Sequence, residues 1–406
     1  MAGRARLGLA ALSAAGGCGG RRWGASGAVG HRRAVSSVGP EMTDTTDTTP
    51  DSPALFRPLT LRSRTARNRV WAAPMCQYSV EAQDGVPTPW HLVHLGSLAR
   101  GGAGVVIVEA TGVVPEGRIS PWDTGLWNDE QQAAWGPIVD FMHGQGALAG
   151  IQLAHAGRKA STYREWSGRG SVPVDEGGWE TVGPSAVAFE GYATPRALEA
   201  EELPELVEAF RASARRAVDA GFDVVELHAA HGYLLHQFLS PLSNRREDAY
   251  GGSLENRARL LLEVVRAVRA EIGELPLLVR FSATDWAEGG WTLEETSTVA
   301  GWAREEGVDL FDVSTGGLVG GTDIPVAPLY QVPFAREVGR ATGAPVGAVG
   351  LITTAEQAEG VVAGGDADVV LLARELLRDP HAPSRMAHEL GAPMDLLPPQ
   401  YTRAWR

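Results

Sequence analysis

Residues 203–236 read LPELVEAFRASARRAVDAGFDVVELHAAHGYLLH and join a helical pattern to a strand pattern. Within Leu203–Ala220 the apolar residues recur with the period of an amphipathic helix, and Gly221 follows where a helix commonly ends. The next run, Asp223–Ala230, is largely apolar rather than alternating, which is typical of a strand buried on both faces. The stretch therefore predicts a helix followed by a strand of a parallel sheet.

The same alternation of helical and strand patterns continues along the rest of the chain. Leu254–Ile272 is a second clear amphipathic helix, and Thr292 with Glu295 fits a capping box at a helix start, as does Thr354 with Gln357. Eight strands that alternate with helices predict an α/β fold of the (β/α)8 class, a TIM barrel. The predicted strands are Asn68–Pro74, Val105–Val114, Leu148–His155, Asp223–Ala230, Leu277–Ala283, Leu310–Gly316, Pro345–Gly350 and Asp368–Glu375.

A doubly wound sheet is the alternative architecture, and it favours a glycine-rich turn after the first strand. Ala72–Tyr78 contains no glycine, which favours the barrel. Two segments fall outside the eight units. Leu55–Arg69 predicts a short N-terminal hairpin that caps the bottom of the barrel. Ser161–Pro195 predicts a long loop after the third strand, on the face where such loops commonly carry function.

The composition excludes several classes of protein. The chain has 406 residues and a net charge of −13, which argues against binding to nucleic acid or to an anionic membrane. Two cysteines, Cys18 and Cys76, are too few for a disulfide framework or for an iron–sulfur cluster with four thiolates. No run of 18 apolar residues is present, so we expect no membrane span and a cytoplasmic protein.

The N-terminal arm, residues 1–53, differs from the rest of the sequence. Its first 40 residues hold six arginines, ten glycines and no acidic residue. An Arg-rich and acid-free start resembles a transit peptide, but the glycines make a poor amphipathic helix. A disordered arm or a misassigned start is the favoured interpretation, with Met42 as a plausible true start. We expect the folded domain to span residues 54–406.

The C-terminal ends of barrel strands usually carry the active site, and the fourth strand delivers a pair of histidines there. His228 and His231 can bind a metal, relay protons or donate two hydrogen bonds to a developing oxyanion, with Tyr233 close by. A zinc site needs further ligands such as His236 or Glu226, in a spacing that matches no common zinc pattern. Two buried histidines packed at the barrel rim are the structural alternative.

Arg280 lies inside the apolar run of the fifth strand, where a buried guanidinium is costly unless it meets an anion or strong acceptors. Asp223 or Glu226 offers a structural ion pair. A bound ligand with an electron-rich edge is the functional interpretation.

Strands seven and eight deliver Gly350 and Arg374, at the place where barrels commonly hold phosphate. Arg374 also has a structural alternative, an ion pair with a carboxylate of Glu375 or Asp379. Together with Arg280, these residues suggest a phosphorylated cofactor across the barrel mouth. His91 and His94, by contrast, lie inside a predicted helix, where packing is the favoured role.

Five motifs resemble the old yellow enzyme family over residues 54–406. The pairing of Cys76 with Tyr78, the two histidines and the ending Gln400–Trp405 resemble its thermophilic-like branch. The motifs are Ala73–Tyr78 (APMCQY), Gln152–Lys159 (QLAHAGRK), Gly221–His236, Phe238–Arg245 and Tyr250–Arg257.

The resemblance implies an FMN-dependent NADPH dehydrogenase, or ene-reductase, with FMN as cofactor and NADPH as hydride donor. It implies roles for individual positions, including Tyr233 as a candidate proton donor beside water. The implied substrate contacts are Tyr78, His228, His231 and Arg403. The implied flavin contacts are Ala73, Pro74, Met75, Cys76, Ala110, Gln152 and Arg280, and the implied phosphate contacts are Gly350, Ala373 and Arg374.

The expected reaction is reduction of the activated C=C bond of α,β-unsaturated carbonyl or nitro compounds, with ping-pong kinetics and no metal. The resemblance also implies a homodimer or homotetramer in which the C-terminal tail is shared across the interface. A quinone or nitro-compound reductase and a non-catalytic flavin-binding barrel are the alternatives. Related enzymes of the 2,4-dienoyl-CoA reductase type carry an iron–sulfur cluster, which two cysteines exclude.

Overall fold

The computed structural model describes residues 52–405, and residues 1–51 and 406 lie outside the described part of the chain. The interpretation of residues 1–53 as a disordered arm or a misassigned start therefore stays a prediction. The first element is a single 3-10 turn, Ala54–Phe56, whose backbone N–H groups at Ala54 and Leu55 donate to the carboxylate of Glu359 at 2.9 and 2.8 Å.

An antiparallel hairpin of β1 (Leu59–Leu61) and β2 (Arg64–Ala66) comes next. Arg62 binds Asp309 at 2.6 Å and Arg64 binds Asp223 at 2.7 Å. Both carboxylates directly precede barrel strands, so the hairpin lies against the N-terminal end of the barrel. The predicted hairpin cap is confirmed.

Ten further strands follow the hairpin. They are β3 (Val70–Ala72), β4 (Val105–Gly112), β5 (Leu148–Ala154), β6 (Val182–Gly183), β7 (Arg196–Ala197), β8 (Val224–Ala229), β9 (Leu277–Ser282), β10 (Leu310–Ser314), β11 (Val346–Ala348) and β12 (Val369–Leu372). All of these strands except β6 and β7 close into one parallel barrel, in which each strand pairs with the next and β12 pairs with β3. The predicted TIM barrel is confirmed, and the doubly wound alternative is wrong.

Helices cover the outside of the barrel between consecutive strands. They are α1 (Pro89–Arg100), α2 (Asp129–Gly144), α3 (Leu203–Asp219), α4 (Leu234–Leu239), α5 (Leu254–Ile272), α6 (Leu293–Glu305), α7 (Val332–Thr342), α8 (Ala355–Ala363), α9 (Arg374–Arg378) and α10 (Ala382–Glu389). Both predicted capping boxes are present at the starts of α6 and α8. No helix within residues 52–405 is long and apolar enough to cross a membrane.

Several barrel strands are shorter than the sequence predicts. The first predicted strand began at Asn68, but the side chain of Asn68 accepts the N–H of Val70 at 3.1 Å and donates to Gly102 O at 2.8 Å. These bonds turn the chain before β3 starts. At the other end β3 stops at Ala72, so residues 73–78 are free of the strand and line the mouth of the barrel.

The predicted long loop lies between β5 and α3, and it is folded rather than structureless. Ser161–Pro195 contains the 3-10 turn Val174–Glu176 and β6, which pairs in parallel with β7 directly after the predicted loop. The Arg158 guanidinium, at the start of this loop, donates to Leu318 O at 2.6 Å and to Val187 O at 3.1 Å. The first contact joins the loop to the segment after β10, on the C-terminal side of the barrel.

Candidate functional site

The register of the barrel places Ala110, Gln152 and Glu226 side by side on three neighbouring strands. Ala110 of β4 pairs with Gln152 of β5, and Gln152 pairs with Glu226 of β8. The amide Nε2 of Gln152 donates to Glu226 Oε1 at 2.7 Å. Gln152 and Glu226 are buried, so this bond fixes the orientation of the Gln152 amide.

Arg280 lies on β9, where it pairs with His228 of β8 on one side and with Asp312 of β10 on the other. Its guanidinium is 6% exposed, and Nε lies 3.0 Å from Asp312 Oδ2. Asp312 is therefore its ion-pair partner. Asp223 binds Arg64 and His143 at the opposite end of the barrel, whereas Glu226, on the strand beside Arg280, is within reach of its charge. Burial, followed by the charge of Asp312, raises the pKa of Glu226.

The rings of His228 and His231 lie side by side at the mouth of the barrel, with one nitrogen of each ring close to the other ring. His228 Nε2 lies 3.4 Å from His231 Nδ1, and the ring planes are nearly perpendicular, at 89°. The backbone N–H of Ala230 donates to His228 Nδ1 at 3.3 Å, so the proton of a neutral His228 ring is on Nε2. Burial, and then the charge of Arg280, holds the pKa of both histidines well below the usual value, which keeps both rings neutral near pH 7.

The backbone at His231 adopts a left-handed conformation, with φ of 56°, which costs free energy unless neighbouring groups hold it. Lys159 Nζ donates to His231 O at 2.8 Å and to Gly317 O at 2.9 Å, and His231 N–H donates to Ser282 Oγ at 2.9 Å. On the far side of the ring, His231 Nε2 lies 2.8 Å from Ser314 Oγ. Lys159 and Ser282 thus hold the backbone of His231, and Ser314 holds its ring.

Cys76, Tyr78, Ala110 and Tyr233 meet in one small apolar cluster beside the histidines. The Tyr233 ring lies 4.8 Å from the His228 ring, measured between centroids, at an angle of 86°. Burial raises the pKa of Tyr233 and of Cys76, while the charge of Cys76, followed by burial, raises that of Tyr78. All three groups therefore keep their protons near neutral pH.

A cavity of about 180 Å³ opens at the C-terminal ends of β11 and β12. Gly350, Ala373 and Arg374 line it together with Gln331. Gly350 has φ of 122°, and a Cβ there would lie 3.0 Å from Gln331 Nε2, so a larger residue would narrow the cavity.

Arg374 is exposed at the rim of this cavity. Its predicted structural partners are engaged elsewhere, because Glu375 binds Arg378 and Arg385, and Asp379 binds Arg385. A cationic rim beside a glycine-lined hollow suits a phosphate group.

The other predicted site residues divide into two groups. Ala73 is buried, Pro74 is half-buried and Met75 packs against the main core, so all three belong to the segment that leaves β3 at the mouth. Arg403 is exposed in a C-terminal 3-10 turn, Pro399–Trp405. Nearby, Tyr401 packs on His381, with 5.7 Å between ring centroids.

Residues 52–405 contain no cluster of three or more His, Cys, Asp or Glu side chains arranged to hold a metal ion. His236, considered as a zinc ligand, is fully buried with Nε2 at 3.0 Å from Asp285 Oδ1. Its Nδ1 accepts the N–H of Gly232 at 3.0 Å, which supports the backbone beside His231. His91 is likewise buried, as expected for a packing role, and lies 3.0 Å from Glu109.

Sequence reasoning missed three residues of the site. Asp312 is a carboxylate inside an apolar strand, and the argument applied to Arg280 would have found it. Lys159 is the only lysine of the chain, but no local pattern shows that it reaches the His231 carbonyl. Ser314 gives no signal either, because its contact with His231 joins positions 83 residues apart.

The buried Arg280, the amide of Gln152 and the cationic cavity fit a ligand with an electron-rich ring and a phosphate, as FMN has. The sequence matches the family described as NADH:flavin oxidoreductase / NADH oxidase over residues 54–392. It is 50% identical over 353 residues to the NADPH dehydrogenase of Listeria innocua. The aligned region covers 87% of this chain and 99% of that protein.

Two solved structures show the same fold. The old yellow enzyme homologue from Zymomonas mobilis aligns with a TM-score of 0.70 and 31% identity over 87% of this chain and 96% of that one. A 2-naphthoyl-CoA reductase aligns with a TM-score of 0.77 and 28% identity over 85% of this chain, which spans only 53% of that longer protein.

The matches extend along nearly the whole barrel, and they include relatives that are enzymes at about half identity over their full length. These matches rule against the alternative of a non-catalytic flavin-binding barrel. The chain belongs to the NADH:flavin oxidoreductase / NADH oxidase family, the family of the old yellow enzymes, and is an FMN-dependent NADPH dehydrogenase.

Proposed function

We propose that the enzyme reduces the activated C=C bond of α,β-unsaturated carbonyl or nitro compounds. The observation that carries this proposal is the pair of neutral imidazoles whose nitrogens, His228 Nε2 and His231 Nδ1, face each other at 3.4 Å. Two ring N–H groups this close together can both donate to one carbonyl or nitro oxygen bound beside them, on which negative charge develops during reduction.

The tautomers required for this role are compatible with the contacts of each ring. His228 donates from Nε2 because its Nδ1 accepts the Ala230 N–H. The Ser314 hydroxyl has two acceptors, His231 Nε2 at 2.8 Å and Gln331 Oε1 at 3.2 Å, and His231 donates from Nδ1 when this hydroxyl donates to its Nε2. Polarisation of the substrate oxygen by both rings lowers the electron density at Cβ, which receives the hydride, while a proton is added at Cα.

FMN, when bound, carries hydride from NADPH to the substrate. Ala73, Pro74, Met75 and Cys76 would lie along the flavin, with Ala110, Gln152 and Arg280 at its polar edge. Gly350, Ala373 and Arg374 would hold the phosphate, and the half-buried Ala373 leaves its backbone accessible from the cavity. Arg280 would stabilise the negative charge that reduction adds to the ring.

Tyr78 would contact the substrate, and Tyr233 would supply the proton to Cα. Burial keeps the Tyr233 hydroxyl protonated, and its ring lies against His228, next to the proposed oxygen site. Because one site serves NADPH and substrate in turn, initial rates should follow a ping-pong pattern, with parallel lines in double-reciprocal plots.

The proposal is tested by replacing both histidines, His228→Ala and His231→Ala, in the FMN-loaded enzyme. Loss of the two donors should lower kcat/KM for 2-cyclohexenone by at least about 10²-fold. FMN content and the slow oxidation of NADPH by oxygen should persist, because neither replacement removes the predicted flavin contacts. Full retention of cyclohexenone turnover in the double variant would refute the assignment.

We also propose that the protein forms a homodimer, or a tetramer of dimers, in which the tail ending at Arg403 reaches the neighbouring site. The support is the exposure of Arg403 together with the resemblance of the ending Gln400–Trp405 to tails of that type. Arg403 would add a cation beside the partner's substrate.

A further inference from the structure

A β-bulge in β4 places one acidic residue where the regular strand pattern would not. The register of β4 against β5 shifts between Val108 and Ala110, so Glu109 is the extra residue of the bulge. Bulges next to active sites re-aim a side chain. Glu109 is 3% exposed, and it is not one of the residues expected to contact the flavin or the substrate.

Both oxygens of the Glu109 carboxylate face N–H groups. Oε2 accepts the backbone N–H of Gln77 at 2.9 Å, and Oε1 lies 3.0 Å from His91 Nε2. His91 Nδ1 accepts the N–H of Thr88 at 2.9 Å, so the proton of the neutral ring is on Nε2, the nitrogen that lies next to the carboxylate.

The Gln77 N–H held in this way lies between two residues of the site, Cys76 and Tyr78. Tyr78 has φ of 51°, a left-handed conformation that persists only when the surroundings impose it. The side chain of Gln77 adds two more bonds, from Nε2 to Met75 O at 2.9 Å and from Trp90 Nε1 to Oε1 at 3.1 Å. Residues 76–78, with the strained backbone at Tyr78, are thus held by the contacts of Gln77 in their middle.

We propose that Glu109 is a positioning residue of the flavin site, whose carboxylate, aimed by the bulge and backed by His91, fixes Gln77 and with it the placement of Cys76 and Tyr78. This role rests on the flavin site proposed above but not on the identity of the substrate. Glu109 acts through the backbone and does not contact the reacting atoms.

The charge of Glu109 provides a readout that a purely structural role would not move. The groups that act on the Cys76 thiol are the carboxylates of Asp123 and Glu109, the hydroxyls of Tyr78 and Tyr233, and the backbone of Ala110. After burial, the two carboxylates are what raise the pKa of this thiol. Removal of the Glu109 charge should therefore lower the pKa of Cys76.

Glu109→Gln removes the charge at nearly constant shape and also creates a hydrogen-bond conflict. The new amide oxygen can still accept the Gln77 N–H, but the amide NH₂ then meets the N–H of His91 Nε2. The conflict is relieved only if His91 moves its proton to Nδ1, where it would oppose the Thr88 N–H. The variant should therefore also loosen the segment, and the KM for 2-cyclohexenone should rise several-fold.

The test uses the full-length, FMN-loaded protein with Cys18→Ser, so that Cys76 is the only thiol. The rate of alkylation of Cys76 by iodoacetamide is measured against pH. In Glu109→Gln the midpoint should move to lower pH by on the order of one unit. Asp223→Asn is the matched control, because it removes a buried carboxylate at the opposite end of the barrel, and its profile should match that of the parent.

An unchanged alkylation midpoint together with an unchanged KM in Glu109→Gln overturns the proposal. If that variant does not fold, amide hydrogen exchange in the parent decides. Gln77 lies in a segment without regular secondary structure, yet its N–H should be protected as strongly as the amides of β4. Exchange of this amide at the rate of an unprotected loop is the contrary outcome. The alkylation profile and the hydrogen exchange do not depend on enone reduction, whereas the KM does, so the two kinds of readout separate a failure of this proposal from a failure of the proposed function.

Discussion

At the scale of single residues, the charges at the mouth of the barrel do not balance. Arg280 pairs with Asp312, and Glu226 lies on β8, beside the strand of Arg280, so one guanidinium acts on two buried carboxyl groups. Burial raises the pKa of both acids, and the mutual repulsion of their charges adds to this effect for Glu226. If Glu226 keeps its proton while Asp312 pairs with Arg280, one positive and one negative charge remain, and the three groups together are neutral.

Replacement of Arg280 tests its proposed role beside the flavin. Arg280→Met alone leaves Asp312 buried without a cation, which destabilises proteins by about 3–5 kcal/mol, so the informative variant is Arg280→Met with Asp312→Asn. Without the guanidinium, the added negative charge of reduced flavin is less favourable, and the midpoint potential should fall by tens of millivolts.

The measurement is a redox titration of the bound flavin in the double variant, with Asp312→Asn as the control that keeps the cation. A potential equal to or above that of the control, at the same FMN content, would contradict the assignment of Arg280 to the flavin edge.

At the scale of elements, the segment after β4 depends on one carboxylate. Asp123 is buried and accepts the backbone N–H of Ile119 at 2.7 Å, the backbone N–H of Ser120 at 3.2 Å and the hydroxyl of Ser120 at 2.6 Å. Burial outweighs these bonds and raises the pKa of Asp123 to about 7. The loop is thus held by a group that changes charge near neutral pH.

The stability contribution of Asp123 should therefore fall as pH rises. Its folded-state pKa lies above the unfolded value of about 4, so between pH 4 and 7 the folded state binds the proton and the unfolded state does not. Stability declines across this window by up to about 1.4 kcal/mol per pH unit. Asp123→Asn lacks this dependence.

Urea unfolding of both proteins at pH 5, 6 and 7 measures the effect. The free energy of unfolding of the parent, relative to Asp123→Asn, should decrease by about 2 kcal/mol from pH 5 to pH 7. A difference that stays constant over this range would show that Asp123 is already ionised throughout.

Local chemistry explains which elements the sequence predicts well. The capping boxes at Thr292 and Thr354 involve residues three apart, and the starts of α6 and α8 lie where they were expected. The start of β3 was misplaced because a contact between Asn68 and Gly102 decides it. The bulge at Glu109 has no local signature, since it is defined by its pairing with β5.

At the scale of the whole molecule, the alternation of helices and apolar strands is enough to predict the barrel, and the barrel rule then locates the site at the strand ends. The histidine pair and Arg280 follow from this reasoning. Most of the network around them does not, because Lys159 reaches the site from the turn after β5, and Ser314 and Asp312 reach it from β10. These contacts form only when the barrel closes, so the spacing of the residues in the sequence does not predict them.

The tail provides a test that belongs to the assembled enzyme. Tyr401 packs on His381, with Arg100 5.3 Å from the centre of its ring, and Trp405 packs on His388 with 5.0 Å between ring centroids, whereas Arg403 between them is exposed. If Arg403 serves the neighbouring subunit, deletion of residues 402–406 should raise KM for enones several-fold and leave FMN content intact. Arg403→Ala alone should reproduce most of the effect, because the remaining tail contacts are unchanged.

Subunit mixing separates a tail that acts in trans from one that acts in its own subunit. A subunit without residues 402–406 keeps its histidines, and a His228→Ala/His231→Ala subunit keeps its tail. In a hybrid dimer the intact tail reaches the intact histidines only if it crosses the interface, because closed homo-oligomers exchange such contacts reciprocally. Hybrids isolated with two different affinity tags should then recover about half of the parent activity per dimer at low enone concentration. Activity equal to the mean of the two parental variants, in hybrids of proven composition, would place the tail in its own subunit.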